Sequence, residues 1–75
     1  MRLQRGEFER IRSVLAEADP EEPLTAREIL ALLAENGEDV ESAHRVATVL
    51  GRRAEGGEIE VLEGQPYRYR LADLP

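Results

Sequence analysis

The feature that most constrains the fold of this 75-residue chain is a change of hydrophobic period at Gly56-Gly57. Before these glycines, apolar residues recur every three or four positions, which is the period of an amphipathic helix. After them, "EIEVL" and "YRYRL" alternate apolar and polar residues, as a half-buried strand does. The four residues "EGQP" predict a turn between these runs, which should therefore pair as an antiparallel hairpin.

Three helices are predicted ahead of the glycines. The first, "GEFERIRSVLAEA", has one apolar face and should end before "DPEEP". The second begins at the spacing of a capping box, Thr25 and Glu28, and should end at Asn36-Gly37. Its wide apolar arc predicts that it is the most buried helix. The third is predicted from about Val40 to Glu55 with Asp39 as its cap, and the short "GED" connection predicts that helices two and three cross at an angle.

The expected architecture is a single domain over residues 1–75 with a core from about 7 to 72. A chain of this size buries only about 60% of its unfolded surface, so the core must be small. There is no cysteine, so the core must hold itself together by packing. Ten side chains on apolar faces are expected to form it: Phe8, Ile11, Leu15, Ile29, Leu33, Val46, Leu50, Ile59, Val61 and Tyr69.

Composition also limits the function. No apolar run of about 18 residues and no charged-then-apolar leader is present, so we expect a cytoplasmic protein that does not interact with membranes. Without cysteine, and with His44 as the only histidine, we expect no metal site, no thiol nucleophile and no cofactor. No glycine-rich phosphate loop occurs, and so small a core leaves little room for a pocket. We therefore do not expect an enzyme.

The charges are strongly biased. Sixteen acids give a net charge of −6, and all ten basic residues are arginine. This composition resembles the proteomes of salt-in halophiles, although a GC-rich genome would also favour arginine. On the halophilic interpretation, the net charge reflects habitat more than partners.

One segment departs from this bias: residues 42–54 contain three arginines and no acid. At about 100° per residue, Val46 and Leu50 of the third helix face the core. The opposite, solvent-facing surface carries Arg45, Thr48 and Arg52, with His44 beside them and Arg53 near the flank. Arg45 and Arg52 lie about 10 Å apart along the axis, a span that fits about three base pairs.

The order helix, helix, short turn, helix, hairpin resembles the winged helix-turn-helix domains of archaeal and bacterial transcription regulators. The resemblance is carried by "LTAREILALLAENGED", "VESAHRVATVLGRRAEGGEIEV" and "GQPYRYRL". It implies an α+β fold of three helices followed by a two-stranded antiparallel hairpin, the wing. The family tends to add one short strand beside the wing, for which "PLT", residues 23–25, is the only candidate.

The resemblance also implies that the third helix lies in the DNA major groove and that the wing touches the backbone or minor groove. An arginine fork can bond two guanine acceptors, and threonine can offer a hydroxyl to a base and a methyl to thymine. The candidate DNA-binding residues are His44, Arg45, Thr48, Arg52 and Arg53 on the third helix, and Arg68 and Arg70 on the wing. The two wing arginines could equally pair across the hairpin with Glu58 and Glu60.

Two functions remain open. The first is a small transcription regulator that binds double-stranded DNA; the second is an interaction module that docks another protein without binding DNA. The net charge opposes DNA binding at ordinary salt, but in molar salt the screening length falls to about 3 Å. Exposed, unpaired arginines on the third helix would favour DNA, whereas pairing with acids would favour a structural role.

Overall fold

A computed structural model describes residues 6–72 of the chain. Residues 1–5 and 73–75, which the single-domain prediction includes, lie outside the described residues. The elements in chain order are α1 (Glu7–Ala18), β1 (Leu24–Thr25), α2 (Ala26–Glu35), α3 (Ala43–Glu55), β2 (Ile59–Leu62) and β3 (Arg68–Leu71). The strands form one antiparallel sheet in the order β1-β3-β2. The protein is therefore α+β as predicted, but its sheet has three strands instead of two, and the added strand falls within the "PLT" candidate.

Local signals placed α1 and α2 correctly. The α1 helix ends at Ala18, directly before "DPEEP". At the start of α2, the Thr25 hydroxyl accepts from the Glu28 N–H at 3.2 Å, and the Glu28 carboxylate accepts from the Thr25 N–H at 2.8 Å. After α2 ends, Gly37 takes a φ of 78°, a left-handed conformation that favours glycine. The predicted capping box and glycine stop are both confirmed.

The start of α3 differs from the prediction. The helix begins at Ala43 instead of about Val40, and its cap is Ser42 instead of Asp39. The Ser42 hydroxyl accepts from the Arg45 N–H at 3.2 Å. Val40 is buried in the core although it precedes the helix. An apolar residue in a packed connection and one in a first helical turn look alike in the sequence, which explains the error.

The core matches the apolar faces closely. Nine of the ten predicted core residues are buried, and Val61 is half-buried against them. Val14 and Val40 complete the cluster. The prediction that α2 is the most buried helix is wrong, because α2 buries two side chains and α1 buries four. The reason is that Leu30 and Leu32, which widen the apolar arc of α2, are only partly buried at the edge of the core.

The β2–β3 hairpin has a longer connection than predicted. β3 begins at Arg68, so Tyr67 lies before the strand and its side chain is 49% exposed. Pro66 has no N–H to donate to a ladder, which is consistent with pairing that starts after it. Tyr67 therefore does not continue the apolar alternation that "YRYRL" predicts for the strand. Tyr69 is buried as predicted, and its burial raises the pKa of its hydroxyl.

Candidate interface on the third helix

The α3 helix is held to the core by Val46 and Leu50, both fully buried, and its opposite surface faces solvent. None of the five candidate residues of α3 is buried. His44, Arg45 and Arg52 are exposed, and Thr48 and Arg53 are partly exposed. The helix therefore presents all five at the surface, but their side chains differ in what they contact.

Arg45 is turned towards α1. Its Nε and Nη2 atoms both donate to Oε1 of Glu7, at 2.8 and 2.6 Å. This hydrogen bond lowers the pKa of the Glu7 carboxyl and raises the pKa of Arg45. The two residues are 38 positions apart, so no sequence spacing indicates the contact.

Arg53 is also engaged within the protein. Its Nη1 donates to Oε1 of Glu58 at 3.1 Å, and its Nη2 lies 3.9 Å from Oε2 of Glu9. The guanidinium lies over the Phe8 ring, 4.6 Å from the ring centroid. The arginine predicted to reach a phosphate thus links α1, α3 and the start of β2.

Arg52 differs from Arg45 and Arg53 in its contacts. Its side chain is exposed and forms no ion pair with any residue between 6 and 72. Glu55, which is also exposed and one turn further along α3, makes no ion pair with it. Of the three α3 arginines, Arg52 is the one whose guanidinium remains available to a partner.

Thr48 retains only part of its hydrogen-bonding capacity in this conformation. Its hydroxyl donates to the His44 carbonyl at 3.0 Å within the helix. The hydroxyl oxygen can still accept a hydrogen bond, and the methyl group remains available for apolar contact. In this rotamer Thr48 can therefore accept from an amino group of adenine or cytosine but cannot donate to a base.

The two arginines of the hairpin, Arg68 and Arg70, also differ in whether they form an ion pair. Nε of Arg70 donates to Oε1 of Glu60 at 2.6 Å, and the two residues are directly opposite in the ladder. Arg68 is opposite Leu62 and has no ion pair within the described part of the chain. The cross-hairpin pairing is therefore observed for Arg70 with Glu60. It does not occur for Arg68, because the register places Arg68 opposite Leu62 and far along the ladder from Glu58.

A groove of about 280 Å³ lies between α3, the start of α2 and the hairpin. Its lining contains no acid and consists of Thr25, Ala26, Arg27, Ala47, Pro66, Tyr67 and Tyr69. Arg27 is exposed and has no ion pair in the described structure. Sequence reasoning missed this arginine, although the capping box places it at the second residue of α2, in the exposed first turn.

A second groove lies on the other side of α3, against the start of α1. It is lined by Gly6, Glu7, Phe8, Glu9, Val49, Arg52 and Arg53. Two carboxylates line this groove, and Arg53 is paired with acids, whereas Arg52 has no ion pair among residues 6–72. We refer to this as the α1 side of α3, and to the acid-free groove as the hairpin side.

Within residues 6–72, no three histidine or acidic side chains converge as they would around a metal ion. None of the helices in the same range is both long and apolar enough to cross a bilayer. No family model matches the chain, and no curated protein or solved structure matches it either. The geometry of the fold and of α3 is therefore the basis for assigning a function.

Proposed function

We propose that this protein is a winged-helix DNA-binding protein, a small transcription regulator that reads the major groove with α3. Two features of the fold support the proposal. A short strand, β1, lies beside the hairpin, where the resemblance implies one, and the hairpin follows α3 directly. An exposed helix with a hairpin beside it is the arrangement that such a domain needs for a groove contact and a backbone contact.

The observation that carries the proposal is that the Arg52 guanidinium is exposed and is not bound to an acid among the described residues. It forms no ion pair with any residue from 6 to 72, whereas Arg45 and Arg53 are both held by acids. A free guanidinium can donate to O6 and N7 of guanine together. His44 and Thr48 precede it at intervals of four residues, so the three side chains form a stripe about 12 Å long. In the proposal, this stripe contacts the bases.

The phosphate contacts come from arginines next to the stripe that have no ion pair within the part of the chain that the structure describes. Arg27 lines the hairpin side of α3, and Arg68 lies on β3. Each is exposed and available for a phosphate oxygen. Arg45, Arg53 and Arg70 have carboxylate partners in the free protein, so they contribute to binding only if those partners are displaced.

Docking of another protein is the second candidate, and two observations favour it. Two of the three α3 arginines are neutralised, which reduces the attraction to phosphates. In addition, the exposed Tyr67 ring lies beside a groove without acids. Tyrosine combines a large apolar ring with a polar hydroxyl and is enriched at protein interfaces.

Reversing the charge of Arg52 separates these functions. Arg52→Glu should change the free energy of unfolding by no more than about 0.5 kcal/mol, because the side chain faces solvent. Its affinity for duplex DNA should fall at least tenfold, since loss of one bidentate base contact costs about 1 to 3 kcal/mol and the new carboxylate repels phosphates. Binding is measured by NMR titration with mixed-sequence duplexes at two salt concentrations.

Arg12→Glu is the matched control. Arg12 is exposed on α1, makes no ion pair with the described residues, and lies next to Ser13 and Asn36, away from the α3 stripe. The control makes the same charge reversal and should weaken binding much less. Equal affinity in both variants would contradict a recognition role for α3. A wild-type protein that binds no duplex across a wide salt range would leave protein docking as the better assignment.

A further inference from the structure

The first turn of α1, Glu7-Phe8-Glu9, lies against the arginines of α3. We call it the acidic turn. Glu7 holds Arg45 through two hydrogen bonds to one oxygen, at 2.6 and 2.8 Å. Phe8 lies under the Arg53 guanidinium, and Glu9 approaches it to 3.9 Å. A single helical turn therefore covers two of the three cations that α3 carries.

Without the acidic turn, Arg45 would be in the same situation as Arg52. The two residues are seven positions apart, about two helical turns, so both lie on the same outward face of α3. Arg52 has no carboxylate partner among residues 6–72, whereas Arg45 is turned back to Glu7. The contact lies at the surface, since 45% of the Arg45 side chain is exposed, and an incoming anion can reach it.

The Glu7–Arg45 contact is not needed to build the fold. Ser42 already caps α3, and the buried Phe8 and Ile11 already hold α1 against the core. Exposed ion pairs contribute little to stability, and their partners exchange readily for other ions. A carboxylate and a phosphate oxygen compete for the same guanidinium donors.

We propose that the acidic turn is an autoinhibitory contact, in which Glu7 competes with DNA phosphates for Arg45. This inference rests on the proposed function. In the free protein the contact leaves Arg52 as the cation of α3 that has no acidic partner among residues 6–72. When a duplex binds, a phosphate must displace Glu7 before Arg45 can contribute, and the displaced carboxylate stays close and repels the backbone. The acidic turn therefore lowers the affinity and reduces the number of phosphates contacted.

A charge-matched pair of variants tests the contact. Glu7→Gln removes the competitor, and Glu17→Gln removes one acid from an exposed position of the same helix that has no ion pair in the described structure. At low salt, Glu7→Gln should bind a mixed-sequence duplex about two to five times more tightly than Glu17→Gln, the range expected for releasing an exposed pair. Because Arg45 then meets a phosphate, the slope of log affinity against log salt should steepen by about 0.9 relative to the control.

The double variant Glu7→Gln/Arg45→Gln shows whether the gain acts through Arg45. Its affinity should fall back to that of Glu17→Gln or below. Equal affinities and equal salt slopes for Glu7→Gln and Glu17→Gln would overturn the inference, as would a gain that persists in the double variant. These results differ from a failure of the proposed function, which would appear as no binding by any variant or as an Arg52→Glu variant that binds like the wild type.

Discussion

The two sides of α3 carry similar residue types, but these residues differ in burial and in ion pairing. On the α1 side, Phe8 is buried and Arg53 is held over its ring by two carboxylates. On the hairpin side, Tyr67 is exposed and Arg27 has no ion pair among the described residues. Each side thus combines an aromatic ring with an arginine. We call the α1 side closed, because its ring is buried and its arginine is paired, and the hairpin side open, because its ring is exposed and its arginine has no partner among residues 6–72. Whether an arginine is free to bind a partner therefore depends on the element that packs beside it. Its position on the helix alone does not decide this.

Truncating the two aromatic residues should give the largest contrast between the sides. Phe8→Ala removes a buried ring and should lower the free energy of unfolding by about 3 to 5 kcal/mol. Tyr67→Ala removes an exposed ring and should change it by no more than about 0.5 kcal/mol. Urea denaturation of both variants measures the difference. Similar losses in both would mean that the hairpin side is as tightly packed as the α1 side.

Both sides depend on the same buried seam of α3, so a change in that seam should affect them together. Leu50→Ala should cost about 2 to 5 kcal/mol, because Leu50 is fully buried and a cavity would remain. Leu33→Ala, from α2, should cost a similar amount for the same reason. Such losses are large against the total stability of about 5 to 15 kcal/mol for typical domains. A wild-type melting temperature in either variant would show that the side chain does not support the core.

The sequence predicted those parts of the fold that depend on residues close together in the chain. Thr25 and Glu28 are three residues apart, and their reciprocal capping is visible in the sequence and in the structure. The pairing of Arg70 with Glu60 was one of two alternatives, because hairpin geometry limits the possible partners. In both cases, the local backbone geometry fixes which side chains can meet.

The sequence did not predict the state of the candidate site, for physical reasons. Glu7 meets Arg45 only because α1 packs beside α3, and that packing depends on the whole core. The exposure of Tyr67 depends on where the ladder begins, and one extra residue in the turn moves the ring out of the strand. Helical spacing shows that α3 has an outward face, but the charges of that face depend on tertiary contacts.

Gly51 offers a smaller test of the open side. It lies in the interior of α3, and a Cβ added there would meet nothing within 4 Å. Glycine in a helix interior costs about 0.5 to 1 kcal/mol relative to alanine, so Gly51→Ala should stabilise the protein by roughly that amount. Thermal unfolding measures the change. If the variant were less stable than the wild type, the surface around Gly51 would be closed, and the contrast between the two sides would be weaker.

The smallest expected effect is the pH dependence that the closed side adds to stability. The hydrogen bond from Arg45 lowers the folded-state pKa of Glu7 below its ordinary value of 4.5. Its contribution is therefore present above pH 4.5 and is lost as the pH falls through the lower, folded-state pKa, because the protonated carboxyl no longer pairs with Arg45. Glu7→Gln should lack this loss of stability at low pH. The free energies of unfolding of the variant and the wild type should therefore converge below that pKa. Chemical denaturation of Glu7→Gln and of the wild type from pH 7 to pH 3 measures this convergence. A gap between Glu7→Gln and the wild type that stays constant with pH would contradict the charged contact with Arg45 and leave α3 as open on its α1 side as on its hairpin side.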